Sequence, residues 1–119
     1  MRVLSSFLIG LSVAVNTALA TIELGQVEQN GEVRVNIAWI AGDNPCKTEK
    51  YTAITASGES PCGIRFTLNN GYTYYEKNCG AGAIDIYNND NSFNSHCQSK
   101  SWQCSQGDGI TIRQTWTCY

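Results

Sequence analysis

Asp43-Asn44-Pro45-Cys46-Lys47-Thr48-Glu49-Lys50-Tyr51-Thr52-Ala53-Ile54-Thr55-Ala56-Ser57-Gly58 is the stretch on which the fold class turns. Asn44 carries the short acceptor side chain of an N-cap, and Pro45 has the fixed φ that suits a first helical position. Residues 46–56 are therefore read as a short helix, with Gly58 as its stop. Thr52, Ile54 and Thr55 oppose that reading, because β-branched side chains lose freedom against a helical turn.

Upstream, Val33, Val35, Ile37 and Trp39 alternate with Arg34, Asn36 and Ala38, the two-residue period of a half-buried strand. Residues 21–31 are polar with Ile22, Leu24 and Val27 interleaved, and read as a strand or an extended arm. Downstream, residues 62–68 and 72–77 flank Asn69-Asn70-Gly71, whose tolerance of positive φ predicts a hairpin. Gly80-Ala81-Gly82 interrupts the pattern and residues 83–87 resume a strand. Residues 88–106 are polar and read as a long loop or irregular helix clamped by Cys97 and Cys104. After a turn at Gly107-Asp108-Gly109, Ile110, Ile112, Gln114, Trp116 and Cys118 alternate with polar residues as a closing strand. The predicted class is α+β: a small disulfide-stapled antiparallel sheet with one or two helices on one face, with an all-β sandwich as the alternative.

Residues 1–20 have the three parts of a cleaved signal peptide: Met1-Arg2, an apolar run from Val3 to Val15, and the small-x-small end Ala18-Leu19-Ala20. The run falls short of the about 20 apolar residues of a membrane anchor. A single domain over residues 21–119 is expected to remain. Its six cysteines, Cys46, Cys62, Cys79, Cys97, Cys104 and Cys118, read as a disulfide framework whose pairing stays open. No Cys-x-x-Cys pair is present and His96 is the one histidine, so neither a metal nor a redox cofactor is expected. Beyond Ala20, seven Lys and Arg are scattered among ten Asp and Glu. Such a chain lacks the clustered basic face that nucleic acids and anionic membranes require.

Candidate sites are sparse. His96 beside a bridged Cys97 reads as an exposed loop histidine, and no Gly-x-Ser-x-Gly elbow occurs, so no catalytic triad is expected. Asp85 and Asp90 have the residue types of a glycosidase pair, but ten acids offer such pairs by chance. Asn88-Asn89-Asp90-Asn91-Ser92 is a dense run of oxygen donors of the kind calcium takes. It lacks the EF-hand glycine and closing Glu, so a solvated turn is the default reading. Trp39 and Trp116 fall on the apolar phase of strands and are assigned to the core. Tyr72, Tyr74, Tyr75 and Trp102 are nominated as the binding surface, since exposed aromatics carry recognition.

The Ala18-Leu19-Ala20 end and the six cysteines together give a chain that resembles the small secreted cysteine-rich effectors of fungi. Among these it is similar to the secreted-in-xylem effectors of Fusarium, in length and cysteine number to their small six-cysteine kind. The order of elements also resembles the α/β sandwich of virally encoded killer toxins. The resemblance implies a non-enzymatic virulence protein acting in the host apoplast or xylem, or inside host cells after uptake. Its partner would be a host plant protein or a companion fungal effector. An antimicrobial or killer-type toxin, or an enzyme inhibitor, is the other class that these features admit.

Overall fold

The computed structural model describes residues 21–48 and 50–119; the signal-peptide reading of residues 1–20 lies outside them. Two Asx-Gly turns set the first and last hairpins of the sheet. Asn30 and Gly31 both adopt positive φ, 51° and 85°, and fold β1 (Ile22–Gln29) back onto β2 (Glu32–Ile40). Positive φ at both centres gives the mirror-image turn whose twist matches that of paired strands. Residues 21–31 are thus a strand and its hairpin turn, not an arm. Asp108 and Gly109, at 54° and 76°, do the same between β7 (Phe93–Gly107) and β8 (Ile110–Cys118). The two turns pack together, with Asn30 N donating to the Gly109 carbonyl oxygen at 2.9 Å.

The helix at 46–56 is not formed. Asn44 does cap, its Oδ1 accepting from Cys46 N at 2.9 Å and Lys47 N at 3.2 Å, and Pro45 does open a helix. That helix, α1 (Pro45–Thr48), is one turn long, and β3 (Thr52–Ala56) follows as a strand paired with β2. The β-branched residues decide the outcome, because they fit a pleated surface and crowd a helix. The α+β class with helices on a sheet face is therefore overturned: the fold is nearly all-β, an antiparallel and nearly closed barrel-like sheet.

Three short strands, β4 (Phe66–Thr67), β5 (Thr73–Lys77) and β6 (Asp85–Asn88), complete the order β3-β2-β1-β8-β7-β6-β5-β4. The hairpin at Asn69-Asn70-Gly71 forms, with Gly71 at φ 85° and Leu68 N bonded to the Tyr72 carbonyl oxygen at 3.1 Å. The expected loop or irregular helix at 88–106 is instead a turn followed by β7, 15 residues long. Its residues 93–96 pair with β6 and its residues 97–107 with β8, which joins the two halves of the sheet. The sheet edges meet where Thr52 Oγ1 donates to the Thr67 carbonyl oxygen at 2.8 Å.

Curling the sheet gives it an inside. Ile22, Leu24, Phe66, Tyr74, Ile86 and their neighbours form the interior cluster, with Trp116 packed against it. A second cluster, Ile37, Trp39 and Ile112, lies on the opposite face of β2 and β8, against Cys46, Tyr51 and Cys104. Cys46–Cys104 therefore ties the α1 segment over that outer face, Cys62–Cys79 joins the loops before β4 and after β5, and Cys97–Cys118 crosses directly between β7 and β8. Gly25 sits where the β1–β8 register shifts, and a Cβ there would collide with the Arg113 carbonyl oxygen. Only glycine permits that approach.

Among the described residues the acids Glu23 and Glu76 are buried, and Glu76 is the deeper. Glu76 follows Tyr74 on the inward face of β5, is 3% exposed, and burial pushes its carboxyl up to about 7. The hydrogen bonds that hold Glu28 (from Arg113) and Asp85 (from His96) act oppositely and lower those carboxyls.

Two expectations follow. A folded pKa raised from 4.5 to about 7 at Glu76 means stability is highest near pH 4.5 and declines as pH rises to 7. The loss is about 3 kcal/mol and is complete about one pH unit above the folded pKa, where both states are ionised. Glu28 and Asp85 contribute in the other direction, their stabilisation vanishing as pH falls below their ordinary values of 4.5 and 3.8. Urea midpoints of the wild type and Glu76→Gln between pH 4.5 and 8 check this; a slope that persists in the variant contradicts it. Second, replacing Cys46 and Cys104 by Ser opens a link spanning 58 residues, against 17 for Cys62–Cys79. Chain entropy makes these about 4 and about 3 kcal/mol, and the first also uncovers the Trp39 face. Thermal unfolding should rank the Cys46/Cys104 variant the less stable of the two.

Candidate functional site

The turn between β6 and β7 gathers residues that the sequence places in two separate groups. Asn88 N bonds the Ser92 carbonyl oxygen at 2.8 Å and Asn91 N the Asn88 carbonyl oxygen at 2.9 Å, with Asn91 at φ 73°. Asn is among the few L-residues that hold this conformation at low cost. Within the turn, Asp90 Oδ1 accepts from Ser92 N at 3.0 Å and from Ser92 Oγ at 2.6 Å, which lowers the Asp90 carboxyl. Asn88 Nδ2 donates to Ser92 Oγ at 2.9 Å, and Asn94 Nδ2 donates to Asn88 Oδ1 at 2.9 Å.

From outside the turn, Arg65 Nε donates to Asn89 Oδ1 at 3.2 Å and Arg65 Nη2 to Asn91 Oδ1 at 3.1 Å. Tyr75 Oη donates to the same Asn91 oxygen at 2.9 Å. The oxygens that suggest calcium ligation are thus engaged by N–H and O–H donors, one of them a guanidinium. Among the described residues no group of three or more His, Cys, Asp or Glu is placed to hold a metal ion.

Two surfaces flank this turn. On one side lies an open depression of about 430 Å³, lined by Tyr72, Tyr74, Asn88, Asn89, Asp90 and Ser92 among others. Tyr72 is 45% exposed there. Tyr74 is buried, its hydroxyl accepting from Asn70 Nδ2 at 2.9 Å, and burial raises its pKa. On the other side, the outer face of β5, β6 and β7 carries a row of aromatic rings. Tyr75 and Tyr87 lie 5.8 Å apart, Tyr87 and Phe93 meet edge-on at 5.7 Å, and Phe93 and His96 lie 4.7 Å apart. The Arg65 guanidinium sits 4.1 Å from the Tyr75 ring centre and the Lys77 ammonium 4.5 Å from that of Tyr87. Both distances fall within the range of cation–π attraction. The row grades from buried to open: Tyr75 is 7% exposed, Tyr87 half-buried and Phe93 48% exposed, so only its Phe93 end is open surface.

The nominated residues therefore part company. Tyr72 and Tyr74 line the depression, Tyr75 belongs to the outer row, and Trp102 lies elsewhere. Trp102 is 39% exposed on the outer face of the other half of the sheet, its ring 6.4 Å from that of Trp39. Phe93 lies in the stretch 88–106 that reads as loop, and a loop predicts no face shared with the strand residue Tyr87. His96 is a strand residue with an exposed side chain, and its Nδ1 lies 2.6 Å from Asp85 Oδ1. Asn78 Nδ2 holds the other Asp85 oxygen at 2.7 Å. Asp85 and Asp90, the pair weighed as glycosidase carboxylates, have separate partners at the two ends of β6.

Asn91→Ala removes both the tolerance of positive φ and the acceptor shared by Arg65 and Tyr75. A loss of about 2 kcal/mol is expected from the backbone conformation and the bonds together. Asn91→Gly, which keeps the conformation, should recover part of it in the same denaturation experiment.

Comparison of the chain with protein-family models, with curated proteins and with solved structures returns no match, so this surface is interpreted from its own residues.

Proposed function

We propose that this chain is an exported fungal virulence effector that acts without catalysis, by binding a host plant protein or a companion fungal effector in the apoplast or xylem. Export is supported by the small-x-small end at Ala18-Leu19-Ala20 and by three disulfides, which are typical of extracellular proteins. Among the described residues, no helix is long and apolar enough to cross a membrane.

The observation that carries the binding reading is the joined surface around the β6–β7 turn, where exposed Tyr72 and Phe93 flank a hydrogen-bonded polar rim. Interfaces draw most of their binding energy from a few aromatic and Arg side chains surrounded by polar groups that exclude water. Phe93 and the half-buried Tyr87, with exposed Arg65 and Lys77, supply those types above the buried Tyr75 ring. Their backbone is held by strand pairing and by the Arg65 and Tyr75 bonds to the turn, so little freedom is lost on docking.

The oxidised protein, immobilised and offered plant extract and fungal secretome separately, should retain a partner that the reduced protein does not. Phe93→Ala and Tyr72→Ala together should weaken that capture at least about tenfold, a typical loss of more than 1 kcal/mol for a truncated anchor. No retention from either source, or equal retention by the double variant, defeats the reading.

A further inference from the structure

A second cavity, of about 160 Å³, lies between the two halves of the sheet, far from the aromatic row in its chemistry. Its walls include Leu24, Ile84 and Trp116, and its polar lining is Gln26, Asn36, Glu76 and Thr115. The hydrogen bonds of that lining leave a one-sided remainder. Asn36 Oδ1 accepts from Gln26 Nε2 at 3.4 Å, and Asn36 Nδ2 donates to Thr55 Oγ1 at 3.1 Å and to the Glu59 carbonyl oxygen at 3.3 Å. Thr115 Oγ1 donates to the Leu24 carbonyl oxygen at 3.4 Å. The side-chain donors of Asn36 and Thr115 and one N–H of Gln26 are therefore used inside the protein.

Beside the second N–H of Gln26, what remains is acceptors: Gln26 Oε1, the lone pairs of Thr115, and the Glu76 carboxyl. Glu76 is 3% exposed. Cys79 Sγ lies 3.6 Å from Glu76 Oε1, but that sulfur is bonded to Cys62 and has no hydrogen to donate. None of the other residues lining the cavity carries a charge. A buried carboxyl without a donor is costly in either protonation state.

We propose that this cavity is a binding site for a primary alkylammonium group, which brings the three N–H donors and the positive charge that the acceptors around Glu76 lack. Size agrees with the chemistry. A dry cavity of about 150 Å³ accommodates benzene, so a short alkyl chain with an ammonium head fits beside Leu24, Ile84 and Trp116. The same group is carried by free small amines and by the side chain of a partner's lysine, and n-butylammonium represents both. The poised carboxyl makes the site responsive to pH, since a cation selects the ionised form.

The test is titration of n-butylammonium chloride into the oxidised protein at pH 8, followed by NMR, with n-butanol as the uncharged control. Saturable shifts at Trp116 and Gln26 are expected. Glu76→Gln should weaken binding at least about tenfold, and n-butanol should bind the wild type at least about tenfold more weakly than the ammonium. Should the variant fail to fold, the carboxyl carbon of Glu76 in the wild type gives the answer directly. Saturating ammonium should move its titration midpoint down by about one pH unit, the equivalent of a tenfold preference for the ionised form. Equal binding by Glu76→Gln or by n-butanol, shifts confined to other residues, or an unmoved midpoint overturns the proposal. A lysine-containing tripeptide in place of the amine distinguishes the carriers: if it binds at the same residues, the ammonium belongs to a partner chain, and if it is excluded while n-butylammonium binds, to a free small amine.

Discussion

Strand β7 has to serve two neighbours in succession, and the change of partner falls between His96 and Cys97. Cys97 N bonds the Ile84 carbonyl oxygen at 2.8 Å, and Tyr119 N bonds the His96 carbonyl oxygen at 3.0 Å, so the ladder is continuous across the join. Cys97–Cys118 crosses the pair at that point. A slip of one residue would turn every β7 side chain to the opposite face. Ser95 and Cys97 would leave the interior and His96 would enter it. The register shift between Ile86 and Tyr87 adds a residue to β7, and this lets Phe93 and His96, three apart, share the outer face. The interior cluster and the aromatic row are thus the two faces of one strand, and neither survives a change in its register.

Curling the sheet creates a second demand, because β2 and β8 are covered on both sides. Ile37, Ala38 and Trp39 are buried in succession, Ala38 in the interior cluster and the other two beneath the α1 segment. A strand in a simple half-exposed sheet buries alternate residues only. The α1 segment contributes one helical turn to this cover and relies on Cys46–Cys104 for its attachment, in keeping with a domain whose core is small. Enclosure also strands Glu76, whose position on the inward face of β5 follows from the same pairing that buries Tyr74.

The recognition surface and the Glu76 cavity draw on different parts of this frame. The first rests on the β6–β7 turn, where Asn88, Asp90, Asn91 and Ser92 bond one another and Arg65 binds from across the sheet. The second lies between the halves, walled by β1, β2, β5 and β8. A disulfide stands beside it, since Cys79 adjoins Glu76. Both are small, and both depend on strands meeting that are distant in sequence.

The amino-acid sequence by itself determined the local features. The Asn44-Pro45 helix start, the Asn69-Asn70-Gly71 hairpin, the turn at Gly107-Asp108-Gly109 and the strand character of residues 33–39 and 110–118 all follow from side-chain chemistry within a few residues. The Asn30-Gly31 turn rests on the same side-chain chemistry, since Asn and Gly hold positive φ at low cost. Pairing of the cysteines, the strand identity of residues 93–107 and the meeting of Tyr72 with the Asn88–Ser92 turn were decided only by tertiary structure. Residues 93–107 carry almost no apolar period, because most of their side chains face solvent and their strand form comes from hydrogen bonds to β6 and β8. Backbone pairing leaves no mark on side-chain composition, so a polar strand between two partners reads as a loop until the partners are in place.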